Sequence, residues 1–180
     1  VHGSIDGEDF AIYVTHLPSR IGGKGGDLRS LGAEIIRKDA EKMMARYPGI
    51  KVVVMGDMND DPADKSMTTA LGCKHQADKV KKATDLFNPW HETLYKRGQG
   101  TLLYQGKWNL FDQIVFSGNL LGTDRTSLKF YKHEIFMRDY LFQQEGKYKG
   151  SPLRTHAGGV WLNGYSDHLP TYVYLIKEVR

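Results

Sequence analysis

Cysteine is almost absent. Cys73 is the one thiol in 180 residues, which excludes an internal disulfide framework and a cysteine-built zinc site. Long hydrophobic runs are missing as well. The longest, such as Val52 to Met55, are strand-sized and fall far short of the roughly 18 apolar residues of a spanning helix, so no membrane insertion is expected. There is no low-complexity tract, internal repeat or Pro/Gly/Ser linker, which leaves one domain over residues 1–180. Neither charge dominates: 25 Lys and Arg against 21 Asp and Glu give +4, a mild bias towards anionic partners. With 40% hydrophobic and 26% charged residues, the composition is that of a soluble globular domain. The first residues, Val1 to Asp9, carry neither an initiator methionine nor a leader pattern, so the chain is expected to be a piece of something longer, and its compartment stays open.

What is present reads as alternating strands and helices. Phe10-Ala11-Ile12-Tyr13-Val14 predicts a strand at about 9–16, stopped by Pro18. Leu28, Leu31, Ile35, Ile36, Ala40, Met43, Met44 and Tyr47 recur at helical spacing. Val52 to Met55, apolar without alternation, predicts a strand covered on both faces. Strand, helix, strand indicates an α/β layer arrangement. Ala63 to Leu71 suggests a short helix, Thr84 to Phe87 a helical or turn segment, and Lys147 to Gly164 a long loop. Further strands are expected at Thr101 to Tyr104, Phe111 to Phe116, Ser127 to Phe136 and Thr171 to Ile176. The Gly-rich stretch around Lys24 lacks phosphate-loop spacing and reads as a flexible connection.

Four places carry chemistry. Gly56-Asp57-Met58-Asn59 puts a carboxylate and an amide two residues apart at the end of a buried strand, where α/β sheets present functional groups and where both could serve one magnesium-type site. The same residues suit a simple turn. Asp167-His168 places an acid beside an imidazole just before a strand, a pairing fit for proton transfer. Asp112 opens an apolar strand, where a buried carboxylate needs a partner. His16 ends the first strand, and Arg20 could grip a phosphate with its guanidinium fork. Softer substrate-side candidates are Tyr104 and Trp108, whose rings could stack on a base or sugar, and Arg154 in the long loop. For Trp108, core packing is the simpler reading.

Thr15-His16-Leu17, Gly56-Asp57-Met58-Asn59, Phe111-Asp112-Gln113-Ile114 and Ser166-Asp167-His168-Leu169-Pro170, in that order, resemble the signatures of the endonuclease/exonuclease/phosphatase superfamily of metal-dependent phosphoesterases. The resemblance implies a C-terminal portion of a four-layer α/β/β/α sandwich, one mixed sheet with flanking helices. It implies hydrolysis of a phosphate ester with Mg²⁺ or Mn²⁺, as a phosphodiesterase or nuclease first, and as a sugar-phosphate or lipid phosphoesterase otherwise. Nucleic acid is then a candidate partner. Asp57 and Asn59 would position water and phosphate, Asp167 and Asp57 would hold metal, Asp112 and His168 would form an acid–base dyad, and His16 would contact phosphate. The Asn and metal-binding Glu of the family's N-terminal half have no counterpart here, since Glu8 sits in no such motif.

Two other readings were weighed against this one. A haloacid-dehalogenase-type phosphatase would also use Gly56-Asp57 with Asp61, but it needs a nucleophilic Asp-x-Asp that Asp6-Gly7-Glu8-Asp9 does not supply. A non-catalytic phosphate- or nucleic-acid-binding module would keep the half-fold without chemistry. The half-fold also leads to the expectation that the sheet face bearing Val52 to Met55 and Ile114 to Phe116 is covered by another chain, either the missing N-terminal half or a second copy.

Overall fold

The computed structural model of the protein describes residues 1–23 and 25–178; Lys24, within the Gly-rich connection, lies outside them. Strands β1 (His2–Ile5) and β2 (Glu8–His16) form a hairpin, and helix α1 (Gly26–Arg46) crosses over to β3 (Lys51–Asp57). The short β4 (Leu86–Phe87) and α2 (His91–Tyr95) precede a small hairpin of β5 (Leu102–Tyr104) and β6 (Lys107–Asn109). Then come β7 (Asp112–Ser117), β8 (Lys129–Ile135), a hairpin of β9 (His156–Ala157) and β10 (Val160–Trp161), and β11 (Thr171–Ile176).

The main sheet is mixed, in the order β1-β2-β3-β7-β4, with β2 and β3 parallel and the other neighbours antiparallel. One face buries Ala11, Val52, Val54 and Val115 against Ala33, Ala40 and Met44 of α1. Small alanines let the helix approach the sheet closely. The predicted helix is present, but its apolar set divides: Ile36, Met43 and Tyr47 pack inward, while Leu28, Leu31 and Ile35 are exposed.

The other face is packed in part by the chain itself. Phe10, Phe116, Val53 and Ile114 are packed against Phe130, Ile135, Val173 and Leu175, because β8 and β11 pair as a second, two-stranded sheet that lies on the first. The chain thus covers part of this face itself with a second, two-stranded sheet, while Val14, towards the His16 end of β2, stays 70% exposed. Two local readings also change. Thr84 to Phe87 ends in β4, whose Leu86 and Phe87 pair with Ser117 and Phe116; the 147–164 loop contains the β9–β10 hairpin, turned by Gly158 and Gly159. Ser66–Ala70 is a wide π-type helical turn where a short helix was expected.

Two polar groups are buried within this packing. Lys51 is paired with Glu8, whose carboxylate also accepts the Leu128 N–H at 2.8 Å and faces Lys177. Glu8 is therefore a structural tie between the two sheets, at the end of β2 opposite His16. His133 packs edge-on to Trp90 and shares a hydrogen bond of 2.9 Å with Thr93. Burial, helped by the Arg97 charge, pushes its pKa down to about 4. A base depressed in the folded state leaves the unfolded chain to take the proton first, so stability should fall as pH drops below about 6.5 towards 4. At pH 4.5 this one half-buried group, partly screened by solvent, should cost about 1–2 kcal/mol relative to pH 7. Urea midpoints at the two pH values should show that loss shrinking in His133→Gln; an unchanged loss would assign it to other groups.

Candidate active site

The register of the main sheet assembles the site. His16 of β2 pairs with Asp57 of β3, which pairs with Asp112 of β7. Because β7 runs against β3, its first residue meets the last residue of the other two. Side chains in one cross-strand row share a face, and this row lies at the open end of the face that β8 and β11 cover. Sequence separation is thereby removed by pairing alone.

Local backbone conformation explains the Gly-Asp-x-Asn spacing. Gly56 has φ +133°, and a Cβ there would overlap the Thr15 carbonyl oxygen, so only glycine fits against β2. Asn59 has φ +49°, a left-handed conformation that Asn tolerates better than most residues. Its N–H donates to Asp57 Oδ1 at 2.8 Å, and its side-chain amide donates to the Leu17 carbonyl at 2.9 Å. These bonds build the turn that the residue types of this segment suit.

His168 arrives from the loop just before β11, and its Nδ1 lies 2.7 Å from Asp112 Oδ2, inside the expected range of about 2.6–3.2 Å. A carboxylate only accepts, so Nδ1 carries the proton. Among the described residues no protein hydrogen bond reaches Nε2, leaving that nitrogen for a ligand. Burial acts to lower the imidazole pKa, but the hydrogen bond and charge of Asp112, reinforced by Asp57 and Asp167, hold it above its ordinary value. Burial raises the Asp57 carboxyl, opposed by the Asn59 N–H. His16 Nε2 stands 3.5 Å from Asp57 Oδ2, with its side chain 74% exposed.

Asp57, Asp112 and His168 each offer one ligand atom within 4.8 Å of the others. Two carboxylates and an imidazole fit a hard or borderline divalent cation. Asp167 is not in that triple: its carboxylate is half exposed, 3.7 Å from Arg154.

The substrate-side residues divide. Arg20 is not free to grip a phosphate. Its guanidinium donates to the Asn59 carbonyl at 2.8 Å, is paired with Asp60 and Asp64, and lies over the Phe111 ring. Three acidic or carbonyl groups have captured the fork, so it braces the Asp57–Asn59 turn from behind. Trp108 is half-buried against Trp90, Leu110 and Ile135, which is the core reading. Tyr104 is exposed, and with Arg154 and Asp167 it lines a cleft beside the dyad.

Three supporting residues were given no role in the site by the sequence, although Gln113 lies inside one of the four signatures. Thr101, fully buried, accepts the Asp112 N–H at 3.4 Å through its hydroxyl and the Leu169 N–H at 2.9 Å through its carbonyl, so it spans both halves of the dyad. Gln113, also fully buried, donates to the carbonyls of Asp60 and Leu110 and accepts from Asn88. Asp61 accepts the Leu110 N–H at 2.7 Å. A buried amide in an otherwise apolar strand was the available signal for Gln113; Thr101 had none.

The sequence matches the model of the Endonuclease/Exonuclease/phosphatase family over residues 1–177. A search of curated proteins finds no match. Among solved structures, truncated TDP2 from Caenorhabditis elegans is similar at 18% identity and TM-score 0.53, covering 94% of this chain and 55% of that one. A mannosyl-6-phosphatase from Bacteroides thetaiotaomicron gives 16% and 0.54 over 95% and 52%. A Staphylococcus aureus beta toxin variant with bound magnesium ions gives 14% and 0.52 over 98% and 56%. The chain spans about half the length of each of these structures. Matched along nearly its whole length and folded as these proteins are in their shared part, the chain belongs to the endonuclease/exonuclease/phosphatase family.

Proposed function

We propose that the chain hydrolyses a phosphate ester by attack of water on phosphorus, assisted by Mg²⁺ or Mn²⁺. The observation that carries this reading is the Asp112–His168 hydrogen bond of 2.7 Å beside Asp57, at the end of the sheet. An acid–base pair oriented by a carboxylate and placed next to a second carboxylate is what proton transfer at a phosphoryl centre requires. Asp57, with Asp112 and Asp167 as further carboxylates, would hold the cation and leave His168 Nε2 free to carry the proton, and the magnesium in the beta toxin structure supports the choice of ion. Bound there, it would neutralise charge gathering on the phosphoryl oxygens.

The chain's own residues do the rest. Asp112 fixes the His168 ring so that Nε2 faces the reacting atoms. The water oxygen forms a bond to phosphorus and the ester P–O bond breaks; Nε2 carries a proton between water and the departing oxygen. Asp57 and Asn59 orient water and phosphate, and His16 adds a donor to a phosphoryl oxygen. We assign a phosphodiester first, nucleic acid included. A sugar-phosphate monoester is the second reading, favoured by the similarity to the mannosyl-6-phosphatase. Hydrolysis of bis-p-nitrophenyl phosphate, followed by colour release, should require added Mg²⁺ or Mn²⁺. No rate above buffer with either ion would leave a binding module in its place.

A further inference from the structure

Arg20 follows His16 in the turn after β2 and reaches across to the two other strand ends that carry the site. Its Nε donates to the Asn59 carbonyl at 2.8 Å, just past Asp57. Its guanidinium carbon lies 4.6 Å from the centre of the Phe111 ring, next to Asp112 in the chain, and that ring is 6.5 Å from the His168 imidazole. One planar cation thus touches the immediate surroundings of Asp57, Asp112 and His168.

The cation is itself fixed. Arg20 Nη2 and Arg29 Nε both lie 2.9 Å from Asp60 Oδ1, and Asp60 Oδ2 accepts the Ser66 hydroxyl at 2.6 Å. Arg29 is buried and also donates to the Pro18 carbonyl at 3.0 Å. Asp60, held from these sides, sets the plane of the Arg20 fork.

What this framework holds is a residue in a sparsely populated conformation. Asn59 has φ +49°, and such a backbone persists where the surrounding structure over-determines it. Its N–H is spent on Asp57, its side-chain amide on the Leu17 carbonyl and its own carbonyl on Arg20. Without Arg20 the carbonyl loses its tie, the turn can relax, and the Asp57 carboxylate that receives the Asn59 N–H moves with it.

We propose that Arg20 is a positioning residue, whose fork holds the Asp57–Asn59 turn and the start of β7 in the mutual placement that hydrolysis needs. The kinetic consequence rests on the phosphoesterase reading above. Lysine is no substitute, because an ammonium group lacks the rigid planar array that meets a carbonyl, two carboxylates and a ring face together.

Hydrogen exchange read by mass spectrometry tests the placement without turnover. In Arg20→Ala and Arg20→Lys the amides of Met58, Asn59 and Asp61 should exchange about tenfold faster than in the native protein, while those of β8 and β11 keep their native rates. On bis-p-nitrophenyl phosphate with Mg²⁺ or Mn²⁺, both variants should lose roughly 10–10²-fold in kcat with little change in KM, as displaced reacting groups would give. With 38% of the Arg20 side chain exposed, the space left in Arg20→Ala is open to a small cation. Guanidinium ion at millimolar concentration, far below denaturing levels, should therefore recover kcat several-fold, and ammonium at the same ionic strength should not. If Arg20→Ala fails to fold, Arg20→Lys carries the exchange and kcat readouts. Native exchange at the turn, a native kcat in the variants, or a loss that guanidinium leaves unchanged would overturn the proposal. A native protein without metal-dependent colour release would sink the phosphoesterase reading instead, and the exchange rates would still decide whether Arg20 holds the turn.

Discussion

Replacing His168 with alanine is expected to lower the rate of phosphate-ester hydrolysis by roughly 10²–10⁴, the usual contribution of a positioned acid–base group. The fold should barely notice. The His168 ring hangs from a loop, and among the described residues its one side-chain hydrogen bond is to Asp112, while the neighbouring Leu169 keeps its backbone bond to Thr101. Asp112→Asn adds a signature that a structural role would not produce. In the native protein the hydrogen bond and charge of Asp112, with the charges of Asp57 and Asp167, keep the His168 pKa raised against burial. Without the Asp112 charge the pKa should fall. The limb of the pH–rate profile belonging to His168 should therefore move to lower pH in Asp112→Asn. A limb that stays in place would separate Asp112 from the dyad.

The second large effect is on stability and lies at the far end of β2. Glu8→Gln keeps an acceptor for the Leu128 N–H but removes the charge paired with buried Lys51. Breaking a buried pair from one side leaves the other charge without compensation, which costs about 3–5 kcal/mol. Replacing both partners is milder, since an apolar side chain needs no counter-charge. Glu8→Gln combined with Lys51→Met should thus regain most of the loss. Urea unfolding of the single and double variants checks this; a single variant within about 1 kcal/mol of the native protein would mean that Lys51 finds another partner.

Much of this site could be read from the amino-acid order, because its residues sit where strand periodicity puts them. Asp57 ends an apolar run, Asp112 begins one, and His16 closes another, so three strand ends hold three functional groups in register. Arg20 could not be assigned this way. Whether a guanidinium meets a ligand or the protein's own carboxylates depends on contacts across about 40 residues, and here Asp60 and Asp64 hold it. The second sheet was hidden for a related reason: β8 and β11 read clearly as strands, but antiparallel pairing across the 35 residues between them leaves no local trace. Exposed Leu28, Leu31 and Ile35 show the converse limit, since helical spacing marks apolar stripes without saying which one faces the sheet.

The claim that Asp57, Asp112 and His168 form a metal-assisted hydrolytic centre is tested most directly by restoring activity to chelated protein. After treatment with EDTA and its removal, the rate on bis-p-nitrophenyl phosphate is measured against added Mg²⁺ or Mn²⁺ for the native protein and for Asp57→Ala. The native rate should return with added metal, and the variant should stay at least about 10²-fold lower at every metal concentration. Equal recovery in both would place the chemistry elsewhere and contradict the assignment.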